Sequence, residues 1–209
     1  YSFNLNINEK KYNQQLLFSL LEFEKINKLI NINSKNLKVL EFGAGYGRTA
    51  NLFLSMTKNL KYVIVDIPPA INVSFNELKN RYPNKKFLMG IDIQDNITMK
   101  KEIDKNDVIF IFPHQMKFLE KKYFDISIMI GVTLEMEPKD VKKYMHYVNI
   151  LSKTLYMKVF KYSGLPFSFY KVYKYNNKKD YFINEKWKEI FCDLGVETDE
   201  IAHLGYNID

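Results

Sequence analysis

The sequence predicts a doubly wound α/β fold with a mostly parallel sheet, and three observations carry that reading. Short apolar runs alternate with segments of helical periodicity along most of the 209 residues, the pattern of strands joined by crossover helices. The first run of the core, "LKVLEF" (37–42), passes directly into three alternating glycines, Gly43, Gly45 and Gly47. The next, "KYVIVDI" (61–67), carries an acid, Asp66, at its carboxyl end, where open α/β sheets gather their ligands.

Taken in order, residues 10–30 place Leu16, Leu17, Leu20, Leu21, Ile26 and Leu29 at near-helical spacing, an amphipathic helix. Asn31 to Asn36 is polar and turn-like. After the strand at 37–42, "GRTANLFLSMTK" (47–58) returns to helical periodicity. The strand at 61–67 stops at Pro68 and Pro69, which cannot extend a ladder. A helix follows from Ala70 to Arg81 and is broken at Pro83-Asn84. "KKFLMGIDI" (85–93) and "DVIFIF" (107–112) both read as strands, with a polar segment between them. "FDISIMIG" (124–131) is a further buried strand, followed by a helix from Pro138 to Leu151 and the strand "KTLYMKVF" (153–160). An aromatic-rich C-terminal segment, densest in "FKYSGLPFSFYKVYKY" (160–175), completes the chain. Its rings suit sugar faces, a hydrophobic lid or ordinary core alike. The organisation is one domain over 1–209: an N-terminal helical segment (1–36), a core (37–160) and a C-terminal segment (161–209).

Composition narrows the classes. Apolar residues make up 46% and charged residues 26%, ordinary for a globular chain. No apolar stretch approaches the roughly 18 residues of a membrane span, and no signal-peptide pattern opens the chain. The lone cysteine, Cys192, makes no internal disulfide; this fits a reducing, cytoplasmic setting, with Cys192 as a small buried hydrophobe near Trp187 and Phe191. Tyr1 in place of Met is compatible with a piece of a longer polypeptide. The net charge of +7 suits an acidic ligand such as a nucleotide or phosphorylated glycan, or equally a solvated, lysine-biased surface. No long basic stripe is present, which argues against nucleic acid as the main partner.

The glycine loop carries the chemistry. A strand, a glycine-rich turn and a helix bring backbone against a ligand, although a tight turn alone would also use glycine. The third glycine stands one residue earlier than in the dinucleotide fingerprint, with Arg48 in its place, and the Lys-Ser/Thr end of a phosphate-cradling loop is missing. With Glu41 before it, E-F-G-A-G-Y-G resembles the first motif of class I S-adenosylmethionine-dependent methyltransferases. "LEFGAGYGRTA", "KYVIVDIPPA", "IFPHQ", "FDISIMIGVTLEM" and "NEKWKEIF" follow the order found in a bacterial sugar O-methyltransferase family, a resemblance that covers residues 37–191.

The resemblance implies S-adenosylmethionine as cofactor and a sugar hydroxyl of a nucleotide sugar or surface glycan as acceptor. On this reading the cofactor lies over Glu41, Gly43, Ala44, Gly45 and Gly47. Asp66 takes the ribose hydroxyls beside Ile67. If "DVIFIF" is the third core strand, His114 and Gln115 reach the adenine position; if "KFLMGIDI" is, Asp92 takes that role and His114 lies nearer the acceptor. The distance from "PHQ" to "FD" favours the first register, and Gln115 near adenine. Glu135 and His114 are the catalytic candidates, Glu135 as base or acceptor-orienting acid. His146 reads as structural or solvent-facing within its helix. No metal-ligand spacing is found, so the expected mechanism is metal-independent. The family pattern has a His before the Glu-Met pair, where this chain has Leu134. If that His is the base, another group must serve here, or activity is lost. Alternatives are an RNA or other small-molecule methyltransferase, and a catalytically silent S-adenosylmethionine-binding module of a larger polysaccharide-synthesis protein.

Overall fold

The computed structural model describes residues 4–32, 34, 36–160, 162–163, 173–174, 181–194 and 201–208. The chain opens with a hairpin of β1 (Asn4–Ile7) and β2 (Lys10–Asn13), turned at Asn8 and Glu9, both at positive φ. Helix α1 (Gln14–Leu29) therefore starts later than the periodicity predicts, at an Asn13 cap whose side chain accepts from the Gln15 N–H. Its buried face also differs: Ser19, Glu22, Phe23 and Ile26 are covered, while Leu16 and Leu20 remain 43% exposed. The buried polar positions meet charged groups from distant parts of the chain, which periodicity alone cannot register.

The core follows with β3 (Leu37–Phe42), α2 (Arg48–Met56), β4 (Leu60–Val65), α3 (Ala70–Arg81), β5 (Phe87–Met89), α4 (Asn96–Lys105), β6 (Val108–Ile111), a 3-10 turn at Pro113–Phe118, β7 (Phe124–Ile130), a second such turn at Val132–Glu135, α5 (Pro138–Leu151) and β8 (Ser152–Phe160). Short strands β9 (Tyr162–Ser163) and β10 (Tyr173–Lys174) pair with each other, and β11 (Lys188–Leu194) and β12 (Ile201–Asn207) end the fold. The aromatic run at 160–175 lies largely outside the described residues. Helix α4 occupies the polar segment between the two strand-like runs; Asp95 caps it, accepting from the Thr98 N–H.

Eight strands form one sheet in the order β5-β6-β4-β3-β7-β8-β12-β11. All neighbours are parallel except β12, which runs against both β8 and β11. The predicted doubly wound, mostly parallel sheet is thus observed. Both strand-like runs after Asp66 enter it: β6 lies beside β4, and β5 adds an outer edge. One apolar layer joins Leu37, Val39, Tyr62 and Ile64 to α1, α2 and α3; the other joins Leu40, Phe42, Val63 and Val65 to α4, α5 and Trp187. The alternation along each strand sends successive side chains to the two layers. Cys192 is exposed on edge strand β11 rather than buried, because that strand presents alternate residues to solvent. Among the described residues, no helix is long and apolar enough to cross a membrane.

Candidate functional site

The chain reverses its winding direction at β3: β4 is laid down on one side of it and β7 on the other. A crevice therefore opens between the loops at the carboxyl ends of β3 and β7. A cavity of about 460 Å³ lies there. The loop after β3 supplies Gly43, Ala44, Gly45 and Tyr46; β4 and its exit supply Val65, Asp66 and Ile67; the turn after β7 supplies Gly131, Val132, Leu134, Glu135 and Met136; Tyr144 comes from α5.

The glycine loop is shaped by backbone rather than side chains. Gly43, Gly45 and Gly47 all have positive φ. A Cβ on Gly43 would stand 2.4 Å from Val132 Cγ2, and one on Gly47 2.9 Å from Leu78 Cδ1, so these two glycines permit close packing. Gly45 differs: nothing lies within 4 Å of where its Cβ would be, and the same holds for Gly131 across the crevice. Both glycines line the cavity, so these bare backbones leave room between them.

Asp66 ties β4 to this loop. Its Oδ2 accepts from the Gly45 N–H at 3.1 Å and its Oδ1 from the Ile67 N–H at 2.8 Å. Burial raises the Asp66 carboxyl above its usual range, opposed by these backbone donors. Glu41 sits beneath the loop, 2% exposed, and its Oε2 accepts from the Tyr62 hydroxyl at 2.8 Å. Burial drives the Glu41 carboxyl up to about 7, against the pull of the Tyr62 and Thr49 hydroxyls and the Arg48 charge. Burial likewise pushes the Tyr144 phenol up to about 12, aided by Asp140 and Asp66.

The predicted residues divide. Glu41, Gly43, Ala44, Gly45, Asp66, Ile67 and Glu135 line the cavity; Gly47, His114 and Gln115 do not. Gln115 is fully buried, and its amide is committed to structure: Oε1 accepts from the Phe112 N–H at 2.8 Å, while Nε2 donates to the carbonyls of Gly90 and Ile93 at 2.6 and 2.9 Å. It braces the ends of β5 and β6. His114 is exposed and stacks on Phe112, with ring centroids 5.9 Å apart, outside the cavity. Both residues belong to the 3-10 turn at Pro113–Phe118, and neither lines the cavity. His146 is solvent-exposed on α5, while His203 is buried in β12, its Nδ1 2.7 Å from the Tyr156 hydroxyl.

Sequence reasoning missed Tyr144 and Arg48. Arg48, the first residue of α2, forks onto Glu22 of α1: Nη1 lies 2.7 Å from Oε2, and Nη2 donates to Oε1 at 3.0 Å. Lys158 of β8 donates to the same Oε1 at 2.9 Å. The available sequence signal was an acid recurring on the leucine-rich helix at a position facing inward.

No family profile matches the sequence. No curated protein matches it either. Solved structures do. The PH0226 protein of Pyrococcus horikoshii OT3 superposes with a TM-score of 0.61 at 16% identity, covering 94% of this chain and 92% of its own. The magnesium protoporphyrin IX methyltransferase ChlM of Synechocystis PCC 6803, solved with bound SAH, gives 0.59 at 12% identity over 92% and 84%. The CurJ carbon methyltransferase gives 0.56 at 11% over 92% of this chain, which spans only 53% of that one. The shared property is the Rossmann-like fold.

Proposed function

We propose that this chain is an S-adenosylmethionine-dependent O-methyltransferase whose acceptor is a sugar hydroxyl on a nucleotide sugar or surface glycan. The observation that carries the reading is the open space over Gly45, bounded by the Asp66 carboxylate on one side and Glu41 below. Two bare glycine backbones, a carboxylate placed for a ribose diol and a buried acid suited to a cation together fit a sulfonium nucleoside. The methyltransferase structures that share the fold support the choice of donor, and the resemblance of "DIPPA", "PHQ" and "LEM" to sugar O-methyltransferases supports the choice of acceptor.

In this assignment Asp66 accepts from the ribose hydroxyls while it holds Gly45 in place. Glu41, as the carboxylate, offsets positive charge on the ligand. The cofactor supplies an electrophilic methyl group for in-line displacement. Glu135, exposed at the mouth of the cavity, accepts the proton of the acceptor hydroxyl. Leu134 and Met136 flank it as apolar walls that limit water, and Tyr144 closes the α5 side. Much of the rate gain comes from holding donor and acceptor in line, on the order of 7–11 kcal/mol at the upper end.

The deciding experiment is incubation of methyl-labelled S-adenosylmethionine with, in separate reactions, fractionated nucleotide sugars, glycan precursors and RNA. Label in a sugar fraction is expected; label only in RNA or in no fraction would overturn the acceptor assignment. A second reading, a silent S-adenosylmethionine-binding module, draws on Leu134, which lines the cavity where the resembled family carries His. It predicts cofactor binding by calorimetry with no label transferred to any acceptor.

A further inference from the structure

Behind the glycine loop a row of charges runs from the cavity into the fold. Glu41, Arg48 and Thr49 line the same cavity; Glu41 accepts from the Tyr62 hydroxyl of β4 and feels the charges of Arg48 of α2 and Glu22 of α1. Its paired neighbours in the sheet, Ile64 of β4 and Ile128 of β7, bring no titratable group. Arg48 also donates to Ser19 Oγ at 2.7 Å, so α1 grips it with two side chains. Glu22 is 1% exposed and held between Arg48 and Lys158, the latter lying 5.1 Å from the centroid of the Phe18 ring. Arg48 and Lys158 both donate to Glu22 Oε1, and at this depth the charges of the cluster are poorly screened.

We infer that Glu22 is a positioning residue for the cavity: through Arg48 it fixes the charge set against Glu41, and so the charge Glu41 presents to a bound ligand. The inference rests on the methyl-donor reading only for the identity of the cation that Glu41 would face. With Glu22 in place, the Arg48 charge is partly spent on α1, and Glu41 keeps its proton more readily. Removing Glu22 releases that charge toward Glu41. Removing Arg48 takes away the cation that favours the carboxylate. The two halves of one ion pair therefore act on Glu41 in opposite directions, whereas loss of packing alone would move both variants the same way.

The test is a carboxyl-carbon NMR titration of Glu41 in the full chain without ligand, for wild type, Glu22→Gln, Arg48→Gln and Arg48→Lys. Calorimetry with S-adenosylmethionine from about pH 6 to about pH 8 accompanies it. Glu22→Gln should lower the Glu41 midpoint and Arg48→Gln should raise it, each by about half a pH unit or more, while Arg48→Lys restores the wild-type value. Where Arg48→Gln does not fold, Lys158→Gln removes the cation on the far side of Glu22 and must also raise the midpoint. Midpoints that stay fixed, or that move the same way in the glutamate and cation variants, overturn the inference. If the midpoints move as expected while S-adenosylmethionine fails to bind wild type, the methyl-donor reading falls and the charge coupling stands.

Discussion

The Asp66 carboxylate and the Gly45 backbone N–H are joined by a 3.1 Å hydrogen bond that closes the end of β4 onto the loop leaving β3. One side chain thus shapes the glycine loop and borders the space above it. Replacing Asp66 with Ala removes both contributions. The affinity for S-adenosylmethionine should fall by about a hundredfold, the scale of two charge-assisted hydrogen bonds. Calorimetry checks this, and an unchanged affinity would remove Asp66 from the ribose position.

Glu135 should separate binding from turnover. Glu135→Gln keeps size and shape but cannot take a proton, so methyl transfer should drop by roughly 10²- to 10⁴-fold while cofactor affinity stays at the wild-type value. Turnover equal to wild type would exclude it as the base.

Burial raises the Glu41 carboxyl to about 7 in the folded chain, from an ordinary value of 4.5. Between these values the native state holds a proton that the unfolded state has released, so stability falls as pH rises through that window and levels off above it. The loss reaches on the order of 3 kcal/mol at its fullest, taking 1.36 kcal/mol per pH unit. Glu41→Gln should flatten this slope and melt higher than wild type at about pH 8. Thermal melts across the window decide it; parallel profiles for the two proteins would show that Glu41 is not the titrating group.

Gly45 and Gly47 should respond differently to alanine. Both carry positive φ, so each substitution costs about 1 kcal/mol in backbone strain. At Gly47 the new methyl also meets Leu78 at 2.9 Å and Ser74 at 3.4 Å, so Gly47→Ala should be the more destabilising by denaturant melts. At Gly45 the methyl enters the open cavity, and Gly45→Ala should weaken ligand binding with the smaller loss of stability.

How much of this was legible in the sequence depends on how local the cause is. The strand–glycine–helix passage from Val39 to Ala50 needs only near neighbours, and both the helix from Ala70 to Arg81 and that from Pro138 to Leu151 begin and end where the sequence predicts. The short edge strand β5 is shorter than its apolar run suggests, because only Phe87–Met89 find ladder partners on β6. Gln115 was placed by its distance along the chain, but its amide is claimed by carbonyls of Gly90 and Ile93, more than twenty residues away. The same applies to Glu22, whose partners Arg48 and Lys158 come from α2 and β8. A single sequence shows that such a residue breaks the apolar stripe without showing what meets it.

Gly43 leaves room for Val132 and for little else, since an added methyl would overlap that side chain. The loop leaving β3 and the turn leaving β7 are therefore keyed together where the two halves of the sheet meet. Val132 stands three positions before Glu135, so the spacing between the cavity floor and the acid at its rim is set by this one interlock. Lengthening or trimming the outer strands would leave that spacing intact, whereas a bulkier residue at either Gly43 or Val132 would act as a wedge that drives the two walls apart.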